Sequence, residues 1–72
     1  MITLKEIQTN LIKEIRESGL SQSEIAKKLG IKQPTIGQYL SGRAMPALDT
    51  FANLCVVLDI DPNDILCISK NS

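Results

Sequence analysis

Residues 21–41 hold two short apolar-periodic segments with only Gly30, Ile31 and Lys32 between them, and this spacing constrains the fold more than any other feature. The first segment opens on Ser21, with Glu24 three residues on: a capping box, in which each side chain satisfies the other's free backbone N–H. Leu20 and Ile25 sit at the positions of a hydrophobic staple around that cap. Ile25, Ala26 and Leu29 form the inward face. Gly30, which tolerates the left-handed conformation, is the stop. The second segment reads as a helix from about Gln33 to Ser41. Pro34 fits its first turn, where a missing N–H costs nothing. Ile36, Tyr39 and Leu40 face inward, and Gly42 ends the helix. Neither helix is long enough to be stable alone in water. Two such helices joined by three residues form an abrupt corner that neighbouring elements have to hold.

Those neighbours are legible on both flanks. Thr3 and Glu6 make another capping box. Leu4, Ile7, Leu11 and Ile15 follow on one helical face, so a helix runs from Thr3 to about Ser18 and ends at Gly19. After a loop over Arg43 to Pro46, a fourth helix extends from about Ala47 to Leu58, with Leu48, Phe51, Leu54, Cys55 and Leu58 as its stripe. Asp61 caps a fifth helix, Pro62 takes its first position, and Asp64 sits near the positive helix end. Ile65 and Leu66 face inward, and Ser69 to Ser72 reads as a polar tail that frays. The pattern contains no strand, repeat or low-complexity stretch. The expected architecture is all-α: one compact five-helix domain over residues 1–72.

Gly37 stands out inside the third helix. A mid-helix glycine costs about 1 kcal/mol relative to alanine. Its presence implies that another group approaches the backbone there, a packing neighbour before a ligand.

Composition narrows the chemistry. The chain has no His, which removes His-based acid–base catalysis and Cys/His zinc sites. Cys55 and Cys67 lack metal-ligand spacing and read as reduced, half-buried thiols of a cytoplasmic protein. No apolar run is long enough to span a membrane, and the N-terminus has no secretion-signal pattern. Neither a metal nor a cofactor is expected, and no small-molecule site is evident. The formal net charge is zero, but it is unevenly spread. Lys5, Lys13, Arg16, Lys27, Lys28, Lys32 and Arg43 against Glu6, Glu14, Glu17 and Glu24 leave residues 1–43 at +3. Lys70 against Asp49, Asp59, Asp61 and Asp64 leaves residues 44–72 at −3. Such asymmetry between halves is the pattern of a chain with one side turned to a polyanion.

The corner itself is a helix-turn-helix motif, with small Ala26 at the helix crossing, Gly30 at the turn and Ile31 beneath it. The run from Leu20 to Ile31 (LSQSEIAKKLGI), continued by Thr35 to Arg43 (TIGQYLSGR) and then Pro46 and Leu48, resembles the phage Cro/repressor-type, XRE-like helix-turn-helix family. The resemblance covers roughly residues 8 to 68. It implies a sequence-specific, double-stranded-DNA-binding transcriptional regulator of bacterial or phage type, most often a repressor. Such proteins are commonly homodimers on palindromic operators, with the second helix of the motif in the major groove. Carried over by position, Lys32, Gln33, Pro34 and Gln38 would line the base-reading edge. Gln22, Thr35, Ser41 and Arg43 would contact phosphates. The chemistry agrees: Gln33 and Gln38 share one exposed face, and a Gln amide pairs with adenine N6 and N7.

Two departures from the family carry consequences. Relatives often pair Arg at the position of Ile15 with Glu at that of Leu40; here an apolar contact is expected instead. Relatives also commonly place Ser or Thr at the positions of Lys32 and Ala47, where each caps the following helix. Without that cap, Gln33 is the expected cap of helix three, and Thr35 competes for the same role. Val56, Val57 and Ile68 lie off the core stripes and point to a homodimer built mainly from the C-terminal half. The near-neutral charge also suits a different class, a protein-interaction module or antitoxin-type partner on the same scaffold. An enzyme has almost no support: there is no paired nucleophile and base and no glycine-rich phosphate loop.

Overall fold

Five helices follow one another in the computed structural model, which describes residues 1–68: α1 (Leu4–Glu17), α2 (Gln22–Leu29), α3 (Gln33–Ser41), α4 (Leu48–Leu58) and α5 (Pro62–Leu66). The polar tail expected at 69–72 lies outside the described residues. Among the described residues there is no strand. α2 packs on α3 and on α4, while α1 packs on α5 and touches α3. Every helix sends at least one side chain into a shared core. Leu11 and Ile15 come from α1, Ile25 and Ala26 from α2, Ile36 and Tyr39 from α3, Leu54 and Cys55 from α4, and Ile65 from α5. Burying each large aliphatic side chain contributes roughly 1.5–3 kcal/mol, and together they hold helices that are individually unstable.

The corner forms as the sequence dictates. Ser21 Oγ accepts from the Glu24 N–H at 3.1 Å, and the Glu24 carboxylate accepts from the Ser21 N–H at 3.1 Å. The Ser21 backbone N–H and, after it, the Ser21 hydroxyl hold the Glu24 carboxyl below its ordinary pKa. Gly30 takes φ +70°, and the Ile31 N–H donates to the Ala26 carbonyl at 3.0 Å. This turn carries Ile31 back against the core. α3 and α4 end the same way, with Arg43 N–H on the Gln38 carbonyl and Ile60 N–H on the Cys55 carbonyl.

Several expectations need correction. The Thr3 cap is half of a box: its hydroxyl oxygen accepts from Glu6 N–H, but the Glu6 carboxylate takes the Thr3 hydroxyl, not its backbone N–H. Leu4 and Leu48 are exposed, because each stands at a helix start beyond the reach of the packed layers. Lys32, not Gln33 or Thr35, is the cap residue of α3, and it makes no side-chain cap bond. Thr35 instead donates its backbone N–H to the Lys32 carbonyl at 3.0 Å. α4 likewise starts after Ala47 with no side-chain cap. The two thiols differ: Cys55 is buried, with its pKa raised first by burial and then by Asp61, whereas Cys67 is exposed. Leu40 is only half-buried, although it packs against the core, while Ile15 is fully buried.

Candidate nucleic-acid interface

α3 has nine residues and a length of about 14 Å at 1.5 Å per residue, enough to lie along a major groove roughly 12 Å wide. Ile36 and Tyr39 anchor its inner side. That leaves Lys32, Gln33, Pro34 and Gln38, the four expected base-reading positions, exposed. Gln33 is the first helical residue and Pro34 the second, so the proline removes one N–H from a turn that already lacks a side-chain cap. The positive end of α3 therefore stays open, and Lys32 adds a full charge to it.

The far end of α3 is tied down by several hydrogen bonds. The Gln38 carbonyl accepts from Arg43 N–H at 3.0 Å, from Ala44 N–H at 3.3 Å and from the Ser41 hydroxyl at 3.1 Å. Gln8 of α1 donates its amide Nε2 to the Gly42 carbonyl at 3.0 Å, which pins the α3 exit to α1. Tyr39 sits beneath, the pKa of its phenol raised by burial and, secondarily, by Asp49.

The expected phosphate-contacting positions divide into two kinds. Gln22, at the first position of α2, and Arg43, just past α3, are exposed. Thr35 is half-buried. Ser41 is exposed, but its hydroxyl already donates to the Gln38 carbonyl, so it has to rotate before it can serve a phosphate. Lys27 and Lys28 lie exposed on the last turn of α2 and place further positive charge on the motif.

The group that approaches Gly37 belongs to the protein. A Cβ built on Gly37 would stand 3.4 Å from Gln22 Oε1. The contact brings the α2 phosphate candidate against α3, and no local sequence signal names the neighbour. Sequence reasoning also missed Gln8, whose partner lies 34 residues away, and Asn10, whose amide donates to the Ile65 carbonyl and to Cys67 Sγ, each at 3.2 Å. Only the tertiary fold brings these pairs together. Among the described residues, no group of three or more His, Cys, Asp or Glu side chains is placed to hold a metal.

A family model described as Helix-turn-helix matches residues 12–65, most of the chain. The chain belongs to the helix-turn-helix family. As such it is a DNA-binding domain of the transcription-regulator kind. It is 38% identical over 64 residues to antitoxin HipB from Escherichia coli O6:H1 and to antitoxin HipB from Escherichia coli K12, in each case over 88% of this chain. It spans 66% of the first HipB and 70% of the second. Among solved structures, it is similar to the SOS-response transcriptional repressor LexA from Eubacterium rectale. That match has a TM-score of 0.75 and 27% identity, over the whole of this chain and 80% of the other. The restriction-modification controller protein C.AhdI from Aeromonas hydrophila matches with a TM-score of 0.70 and 25% identity, over 83% of this chain and 91% of its own. No helix among the described residues is long and apolar enough to cross a membrane.

Proposed function

We propose that this chain is a transcriptional repressor that reads a palindromic operator in double-stranded DNA as a homodimer, with residues 1–72 acting as one DNA-binding domain in the cytoplasm. The observation that carries the reading is α3: anchored on its inner side by Ile36 and Tyr39, uncapped at its positive end, and lined outward by Lys32, Gln33, Pro34 and Gln38. Gln33 and Gln38 discriminate bases by bidentate pairing with adenine, and Pro34 offers an apolar surface to a thymine methyl. Lys32 supplies charge at the groove edge. Gln22, Thr35, Ser41 and Arg43 set register and affinity through phosphates. The work is binding, with no catalytic step.

Homodimer formation draws support from apolar surface left uncovered in the C-terminal half. Val56 is 79% exposed and lines a groove with Phe51, Ala52, Ile60 and Pro62; Ile68 is also exposed, and Val57 is half-buried. A symmetric pair would cover that groove and repeat the half-sites at about one helical turn, ~34 Å. Selection on random duplex DNA tests the whole reading: an enriched palindrome supports it, and no enrichment contradicts it. Sedimentation that finds a monomer both free and on the selected duplex removes the dimer.

A second reading, an antitoxin-type protein partner, is favoured by the 38% identity to the HipB antitoxins. Salt dependence tests whether DNA binding has been given up for a protein partner, because duplex binding that releases counterions weakens steeply with added salt.

A further inference from the structure

We infer that Gly37 is a positioning residue for DNA binding: by carrying no side chain longer than a methyl it leaves the space on α3 in which the Gln22 amide rests, and so aims Gln22 at the DNA backbone. The inference rests on the phosphate-contacting role proposed for Gln22. Gln22 Oε1 lies 3.4 Å from the point where a Gly37 Cβ would stand, and apart from the residues flanking Gly37 and the backbone of α3 itself no other heavy atom of the described residues comes within 4 Å of that point. An alanine therefore fits in ordinary contact, whereas any longer side chain competes with the Gln22 amide for the same volume.

Helical spacing gives the contact its meaning. Gly37 lies one turn after Gln33 and one turn before Ser41, on the row beside the outward residues Pro34 and Gln38. A side chain resting there is held at the flank of the reading edge, where a phosphate runs when a helix occupies the groove. The glycine carries a folding cost, since mid-helix glycine disfavours the helix relative to alanine. Gly30 and Gly42 are explained by their left-handed backbone, φ +70° and +79°, but Gly37 is not among the positive-φ glycines, so backbone geometry does not require it. Room for Gln22 instead limits what can stand there, to nothing longer than the Cβ of an alanine.

The experiment is a double-mutant cycle read by DNA affinity and by thermal unfolding, using the duplex enriched by selection and a random duplex. Gln22→Ala should weaken both duplexes by about tenfold, the worth of one hydrogen bond to a charged group. It should leave the salt slope unchanged, because a neutral amide releases no counterion. Gly37→Ala should raise the Tm and keep affinity. Gly37→Leu should weaken both duplexes by about as much as Gln22→Ala, again one such hydrogen bond, with a Tm no lower than wild type. In the Gln22→Ala background, Gly37→Leu should cost nothing further. If the two losses multiply, Gly37→Leu obstructs DNA directly and the positioning role is overturned. Full affinity in Gly37→Leu overturns it too. If Gln22→Ala alone binds as wild type, the phosphate role of Gln22 falls, and this inference falls with it.

Discussion

At its N-terminus α2 carries a complete capping box, Ser21 and Glu24 each taking the other's backbone N–H, whereas α3 begins on Lys32, which has no acceptor to offer. The contrast continues along the two helices. α2 has a carboxylate in its first turn and two lysines in its last, the arrangement that best complements the helix dipole. α3 has no charged residue in either turn, a proline at its second position and a glycine at its fifth. Local interactions stabilise α2. Packing of Ile36 and Tyr39 stabilises α3, and its outward side is left exposed. Features that a stable helix would include are missing from α3 where they would close its positive end or fill its outer surface.

The largest expected effects come from the buried side of that comparison. Ile25 and Ile36 are each fully buried, so Ile25→Ala and Ile36→Ala should each cost ~2–5 kcal/mol of folding stability in denaturant titrations. Gln33→Ala should leave stability within about 0.5 kcal/mol of wild type, because the residue is exposed. A stability loss at Gln33 comparable to that at Ile25 would break the division between held and offered sides.

Leu40 tests the tie between α3 and α1. It is half-buried, so Leu40→Ala should cost less than the core truncations, about 1–2 kcal/mol. Leu40→Glu should cost more, since the neighbouring core provides no cation, and adding Ile15→Arg should recover part of the loss. A double variant no more stable than Leu40→Glu would show that the two positions are not neighbours.

Capping sharpens the contrast in both directions. Ser21→Ala should destabilise by ~1 kcal/mol through loss of the cap. Lys32→Ser supplies the acceptor that α3 lacks and should stabilise by up to about 1 kcal/mol. The same change should weaken duplex binding and lower the salt slope by about one, because a cation is lost. If Lys32→Ser improves folding and leaves DNA affinity untouched, the open end of α3 has no role in binding.

The smallest effect is on acid sensitivity. The folded pKa of Glu24 is depressed by its bonds to Ser21, so this contribution to stability is complete above the ordinary carboxylate range. It is lost as pH falls through the depressed folded value. Glu24→Gln should flatten the acid-unfolding curve in that interval, measured by circular dichroism.

Legibility followed the same division. Everything that makes α2 a helix lies within the window from Leu20 to Ile31, so its limits, cap and stop were all readable there. The beginning of α3 was harder. Its cap residue is a lysine with no capping bond, and Gln33 and Thr35 looked better by side-chain chemistry. Leu4 and Leu48 fit their helical stripes, yet periodicity reports only direction around a helix, not whether a neighbour covers its first turn. Nothing local marks Gln8 or Asn10, because their partners lie far along the chain. Asp59 and Cys67 end α4 and α5 in left-handed conformations without glycine, so the usual stop signal was absent. The outward face of α3 was visible because it is what remains of the helix after the apolar positions are assigned inward. The seating of Gln22 against Gly37 was not visible, because it joins two helices.

The central claim is that α3 reads bases through Gln33 and Gln38 while Arg43 holds the backbone. The most direct measurement is the ratio of affinities for the selected and random duplexes, taken across a salt series for wild type, Gln33→Ala, Gln38→Ala and Arg43→Ala. Each Gln variant should lose ~1–3 kcal/mol on the selected duplex and little on random DNA, so the ratio collapses while the salt slope holds. Arg43→Ala should weaken both duplexes about equally and lower the slope by about one. If the Gln variants instead weaken both duplexes by the same factor, α3 does not read bases, and the chain is a backbone binder or a protein-interaction module.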